Sequence, residues 1–482
     1  MIDFRPVFFV VGILLATLAL AMGIPALADA AVGHPNWQVF ALSATLTLFV
    51  GGALVLTNRA RGVRLTIRQA FVLTTASWVV LAAFASLPFA FSDLGLSFTD
   101  AFFEAMSGIT TTGSTVISGL DSAPPGILLW RALLQWLGGI GIIVVAVGVL
   151  PALRIGGMQL FRMESSDTSE KVLPRVAQVA AGIGIIYVAL TAICAASYWL
   201  TGMTSFESAA HAMTTIATGG FSTSDASLGY WRSAPIEWIA TVFMVTGALP
   251  FVLYLQAVRG KPGLLIRDSQ VQWFLSIIAV GILGLAAWQW LENGSGLGLA
   301  IRQAAFNVVS IITGTGYATT DFSQWGGFAL AAFFLFMFIG GCAGSTSCGI
   351  KVFRFQVLYA TARVQMSRLM QPHGVFIPHY NRRPISEAVA ASVMGFFFLF
   401  VVCFAVLALL LGMLGLDFLT SVSGAAAAMA NVGPGLGEII GPAGTFQPLP
   451  DAAKWLLAAG MLLGRLELFT VLVLFTPAFW RG

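Results

Sequence analysis

TTTGST, Thr110 to Thr115, is the stretch from which the architecture of this chain is read. Three look-alikes follow it: IATGGF at Ile216 to Phe221, TGTGYA at Thr313 to Ala318 and ANVGPG at Ala430 to Gly435. Each comes after a short apolar segment and before a long one. Setting Gly113, Gly219, Gly316 and Gly433 in one column gives separations of 106, 97 and 117 residues, the mark of a tandem repeat. One Thr-Gly turn means little, because such turns are common; four in matched positions point to four related units.

The 482 residues are 58% hydrophobic and only 9% charged, where soluble domains carry about a quarter charged residues, so this is a polytopic membrane protein. The net charge of +4 is scattered over short loops rather than gathered on a soluble face, and nucleic acid is not among the expected partners. Cys194, Cys342, Cys348 and Cys403 form no CxxC and read as small packing residues.

Apolar runs long enough to cross a bilayer, about 20 residues each, occur near 6–27, 37–57, 71–91, 127–150, 177–200, 236–258, 271–291, 326–350, 388–415 and 453–479. The first follows Arg5 and is trailed by ALADA, but it exceeds the apolar length of a secretory signal and is read as a retained helix. Lys and Arg set the orientation. Arg5, Arg59, Arg61, Arg64, Arg68, Arg154, Arg162, Lys171, Arg175, Arg259, Lys261, Arg267, Lys351, Arg354, Arg363, Arg368, Arg382, Arg383 and Arg481 fall on one side, which is therefore cytoplasmic and holds both termini. The opposite side carries Arg131, Arg232, Arg302 and Lys454 against thirteen acids in outer loops or short re-entrant segments, among them Asp100, Glu104, Asp225, Glu237 and Asp417. That balance makes a negative mouth, which concentrates cations; the insertion rule by itself accounts for part of it.

Between the spans lie four apolar segments too short to cross: Ser97 to Thr110, Ser205 to Ile216, Leu297 to Ile312 and Asp417 to Ala430. Their flanking spans meet the outer side, so each segment dips in and returns. The fold class is thus an all-α polytopic membrane protein of ten transmembrane helices, with four pseudo-repeated units of helix, re-entrant pore loop and helix around one ion pore. The division is 1–68, two N-terminal spans; 69–165, 166–265, 266–384 and 385–482, four pore repeats, the third with a broken inner helix and a cytoplasmic linker.

Irregular backbone at membrane depth survives only in protein or along a wet path. A helix entering from outside points its partly negative end inward, and the loop after it exposes carbonyls that replace a monovalent cation's hydration shell. The candidate filter residues are Thr111, Thr112 and Gly113; Ala217, Thr218 and Gly219; Gly314, Thr315 and Gly316; and Asn431, Val432 and Gly433. The fourth set departs from the others, with Val432 where they have Thr.

Two further features bear on passage. GGCAGSTSCG, Gly340 to Gly349, interrupts the third inner span with residues that break a helix, either as a plug below the filter or as a small-residue packing face. GRLELF puts Arg465 and Glu467 inside an apolar run, facing different sides of the helix, so Arg465 either faces the pore or is a snorkelling or structural residue. The broken stretch and Arg465 begin 24 and 32 residues beyond Gly316 and Gly433, and so are expected side by side. The candidate gate residues are Gly340, Gly341, Cys342, Ala343, Gly344, Ser345, Gly349 and Arg465. His211 has no second ligand at metal-site spacing and reads as a packed or hydrogen-bonded residue; His373 and His379 sit in the cytoplasmic linker.

Taken together, TTTGST, HAMTTIATGGFSTSD, GTGYATTDFS, GGCAGSTSCGIKVFR, NVGPGLG and GRLELF resemble the Trk/Ktr/HKT superfamily of potassium transporters, the TrkH branch most closely, over nearly the whole chain. The two extra N-terminal spans are similar to TrkH rather than to the eight-span Ktr subunit. The resemblance implies potassium (K+) uptake across a bacterial inner membrane, with K+ held at the filter residues and no organic cofactor in this chain. It implies a homodimer in membrane lipid, docked on a cytoplasmic TrkA-type nucleotide-binding ring, with the gate residues above as an intramembrane loop and Arg465 as a cationic barrier. Cys342, Cys348 and Gly314 depart from the family's usual residues. A sodium-selective or sodium-coupled carrier of the same superfamily is the rival reading. An intramembrane enzyme needs paired carboxylates or a metal cluster at depth, which the chain does not offer; no GxxxxGK[ST] motif is present either.

Overall fold

The computed structural model describes residues 3–59, 65–148, 172–381 and 383–481. Arg61, Arg64, Arg154, Arg162, Lys171 and Arg382, and the boundary between the first two repeats, lie outside these. Among the described residues, seven helices are long and apolar enough to cross a membrane, or nine if two bent pairs each count as one span. Leu20, Phe49, Ile185 and Val280, each more than 70% exposed, spread apolar surface over the outside of a chain that must therefore sit in lipid.

The ten apolar runs resolve differently from ten straight helices. The run expected over 236–258 bends by 93° between Ala234–Ala248 and Phe251–Val258, where Pro250 removes a backbone donor. The run over 453–479 bends by 108° between Asp451–Arg465 and Phe469–Phe475. There the cause is local backbone: Glu467 and Leu468 take φ of +62° and +41°, in the left-handed region. The run over 326–350 is the 11-residue helix Gly327–Met337 followed by irregular chain to Lys351. At 1.5 Å per residue that helix reaches about 16 Å, roughly half the hydrocarbon thickness.

The two N-terminal helices, Arg5–Ala31 and Trp37–Thr57, cross where Gly12 and Gly51 meet, each ideal Cβ position lying 2.8 Å from the other's carbonyl oxygen. Beyond them, the four short apolar segments fold as helices: Phe98–Ile109, Ser205–Ile216, Leu297–Ile312 and Phe418–Ala430. Three begin on a side-chain cap. Ser97, Thr204 and Asp417 accept from the N–H of Asp100, Glu207 and Thr420, and Glu207 returns the favour to Thr204 in a capping box. The third starts at Gly296 without a side-chain cap. All four end the same way: Thr111, Thr218, Gly314 and Asn431 turn to φ of +53°, +49°, +72° and +52°. The next N–H in each, on Thr112, Gly219, Thr315 and Val432, then closes five residues back onto Ser107, Thr214, Ser310 and Ala427 at 2.9 to 3.0 Å.

Candidate ion pore

That shared ending fixes the register of the loops. Positive φ recurs two residues later at Gly113 (+90°), Gly220 (+78°), Gly316 (+81°) and Gly433 (+103°). The second loop is therefore Thr218, Gly219, Gly220, and the alignment of Gly219 with Gly113 is corrected by one residue. Gly219 stands at the place of Thr112, Thr315 and Val432; Ala217 belongs to the last turn of the helix. With two adjacent glycines after a threonine, the sequence allowed either register.

The four loops close on one another in chain order. An ideal Cβ on Gly113 would lie 2.2 Å from the Gly219 carbonyl oxygen, on Gly220 1.9 Å from that of Thr315, on Gly316 2.0 Å from that of Val432, and on Gly433 2.9 Å from that of Thr112. Each glycine thus admits the carbonyl of the next loop, and the fourth returns to the first. Within each loop the first two N–H groups bond back to their own helix. Among the described residues, only two of the twelve loop carbonyls accept a hydrogen bond: Gly219 from Gln135 Nε2 at 2.6 Å and Gly433 from Ser114 Oγ at 2.7 Å. Buried carbonyls are normally paired; of these ten without a protein donor, seven are on buried residues and three on half-buried glycines, and such a ring can offer its oxygens to a cation. The partly negative C-terminal ends of the four short helices stand directly behind them.

A buried frame holds this ring. Arg131, from the helix Pro125–Gly148, pairs with Glu104 at 2.8 Å, donates to the Ser222 carbonyl at 2.7 Å and to Thr115 Oγ1 at 3.1 Å, and its guanidinium lies over Phe221. Glu104 also accepts from the Val116 N–H at 2.9 Å. Assigning these two residues to the outer mouth is corrected: both are fully buried behind the first two loops. Arg302–Glu237 and Lys454–Asp100 also pair, so three of the four outer bases are tied to acids. At the rim, the side-chain and backbone donors of Thr420 hold the Asp417 carboxyl below its usual range. His211 is hydrogen-bonded, with Nδ1 2.9 Å from the Glu207 carbonyl and Nε2 3.0 Å from Ser222 Oγ.

Phe338 to Lys351 runs directly beneath the ring. Its two ends meet, the Gly340 N–H donating to Ile350 at 3.0 Å and the Ile350 N–H to Phe338 at 3.1 Å. Between them, the Cys342 and Thr346 N–H groups donate to Ala248 and Gly247, at the bend of the second repeat, and the Ala343 N–H donates to Gln270 Oε1. The residues that touch the ring are Thr346 and Cys348: Thr218 Oγ1 donates to Thr346 Oγ1 at 3.2 Å, and Thr111 Oγ1 lies 3.7 Å from Cys348 Sγ. Arg465 is alongside, donating to the Thr346 carbonyl at 3.2 Å, to Cys348 Sγ, and to the Gly138 carbonyl at 2.9 Å. The expected juxtaposition of Arg465 with the broken stretch is present. Glu467 pairs with Arg354, whose guanidinium stacks 3.8 Å over the Phe396 ring. Of the gate residues named from sequence, Gly340, Gly341, Cys342, Ala343, Gly344, Ser345 and Gly349 shape this segment, whereas Thr346 and Cys348, which make its contacts, were not among them, Cys348 being noted only as a small packing residue and a departure from the family.

Comparison with known proteins bears on this geometry. Residues 36–481 match the TrkH family, described as cation transport protein. The chain is 48% identical over 477 residues to the Trk system potassium uptake protein TrkI of Halomonas elongata, covering 99% of this chain and 97% of that one. It is 38% identical over 484 residues to the Trk system potassium uptake protein TrkH of Escherichia coli K12, covering 99% of both. The crystal structure of the potassium transporter TrkH from Vibrio parahaemolyticus superposes with a TM-score of 0.93 at 38% identity, over the full length of both chains.

Proposed function

We propose, from the premise that this chain belongs to the TrkH family of cation transport proteins, that it takes up potassium through the ring formed by Thr111–Gly113, Thr218–Gly220, Gly314–Gly316 and Asn431–Gly433. The observation that carries this reading is the closed order of the loops, with ten of their twelve carbonyls, seven on buried and three on half-buried residues, left without a donor among the described residues. An ion that sheds its water there gains carbonyl oxygens from four independent loops. Phe338 to Lys351 is the gate, because it lies against Thr111 and Thr218, and Arg465 is its barrier.

The same reading places both termini and the linker after Lys351 in the cytoplasm of a bacterium, on the strength of the Lys and Arg count. It makes the active form a homodimer in the inner membrane and gives its control to a cytoplasmic nucleotide-binding ring. Cysteines introduced at Arg59 and Arg368 are expected to label from the inside only. Purified protein in liposomes tests the transport itself: uptake of potassium and rubidium, with sodium competing poorly, is the expected result. Equal or preferential sodium uptake replaces this reading with the sodium-carrying one.

A further inference from the structure

The seams of the ring are unequal. Three glycine-to-carbonyl approaches lie between 1.9 and 2.2 Å from the ideal Cβ position, but the fourth, from Gly433 to Thr112, is 2.9 Å. At that wider seam two side chains bridge the gap: Ser114 Oγ donates to the Gly433 carbonyl at 2.7 Å, and Asn431 Nδ2 donates to Thr112 Oγ1 at 2.9 Å. Asn431 also reaches out of the ring, since the same Nδ2 donates to the Met461 carbonyl at 2.9 Å. Met461 is one helical turn before Arg465 on the helix Asp451–Arg465. Gly464 on that helix makes room for it, because an ideal Cβ there would fall 2.8 Å from Asn431 Oδ1 and 2.0 Å from the Met429 carbonyl oxygen.

We infer that Asn431 is a positioning residue for ion discrimination: its amide closes the ring between the fourth and first loops and ties that seam to the helix that ends in Arg465. The backbone of Asn431 is shared with its counterparts, all at positive φ, but its side-chain bonds are particular to it. Thr111 and Thr218 occupy the same place and touch the gate segment instead, and Gly314 has no side chain at all. The carbonyls of Asn431 and Val432 therefore take their spacing from two hydrogen bonds that a change at one side chain removes. This inference rests on the potassium-filter reading above.

Asn431→Gly is the decisive variant, since glycine keeps the positive φ, as Gly314 does in the third loop, and deletes only the amide. In liposomes the ratio of potassium to sodium uptake is expected to fall about tenfold, with rubidium gaining on potassium. Thr112→Val removes one of the two bonds without touching Asn431, together with the 2.7 Å bond between the Thr110 and Thr112 hydroxyls, and is expected to lower the ratio about threefold. Potassium-dependent thermal stabilisation of the detergent-solubilised protein gives a readout apart from flux and is expected to weaken in the same order. A ratio within twofold of wild type in Asn431→Gly overturns the inference. If that variant carries no cation, Thr112→Val decides, and an unchanged ratio there overturns it equally. A wild-type protein that fails to take up potassium sinks the filter reading instead, so the two failures are distinct.

Discussion

The carbonyl oxygen of Thr315 occupies the space that a side chain at Gly220 would need, 1.9 Å from the ideal Cβ position. Positive φ by itself does not demand glycine here, for Thr111, Thr218 and Asn431 all adopt it. The approach of the next loop does. Gly220→Ala is therefore expected to push the second loop from the third and lower potassium over sodium discrimination by at least about tenfold, in keeping with a strain of 1–3 kcal/mol. At Gly219 the nearest obstacle is the Gln135 side chain, which can shift, so Gly219→Ala is expected to be milder. Competitive rubidium uptake by both variants checks the order, and the reverse order would restore the Gly219 register.

Arg465 places a full charge beside the path. At about 6 Å and an effective dielectric near 20, Coulomb repulsion on a passing monovalent cation is roughly 3 kcal/mol, or about a hundredfold in rate. Arg465→Ala should raise basal potassium flux in liposomes toward that limit. Unchanged flux in a folded variant makes Arg465 structural, a brace between Gly138 and Thr346.

Thr346 locks the gate segment to its neighbours. Its Oγ1 lies 2.9 Å from the carbonyls of both Ile216 and Gly247 and accepts from Thr218 Oγ1. Thr346→Val keeps the shape and loses these bonds, each contributing about 1 kcal/mol. Basal flux is expected to rise about five- to thirtyfold with selectivity retained, as read by potassium and sodium tracer uptake; a fall in flux would show that the segment does not gate.

Arg131 should matter most to stability. Arg131→Met strands the buried Glu104 carboxylate, a loss of about 3–5 kcal/mol, whereas the paired change Arg131→Met with Glu104→Gln should recover part of it. Thermal unfolding in detergent measures both. Equal melting of the single and double variants would mean the charge pair is not what holds the loops.

The pore helices were legible because length, apolarity and end signals agree locally: Thr204 and Glu207 announce one start, and the Thr and Gly residues announce the ends. Pro250 was a visible warning of the bend at the second repeat. Nothing comparable marks Glu467 and Leu468, whose positive φ accompanies a tertiary pair, Glu467 with Arg354 from 113 residues away. Glu104 and Arg131 were misassigned to the mouth for a related reason. Charge in an outer segment is visible in a sequence, but its burial depends on Ser222, 91 residues beyond Arg131. Thr346 and Cys348 carry no local signal either, since their contacts with Thr218 and Thr111 span 128 and 237 residues.

The chain-order closure of the loops has a genetic consequence. In a pore assembled from four identical polypeptides, every inherited substitution enters the ring four times, so small adjustments are difficult and most changes are drastic. Here Gly113 against Gly219, Gly220 against Thr315, Gly316 against Val432 and Gly433 against Thr112 are four separately encoded junctions. A single codon change alters one quarter of the ring, which lets selection move ion preference in small steps and lets the fourth junction diverge while the other three are kept.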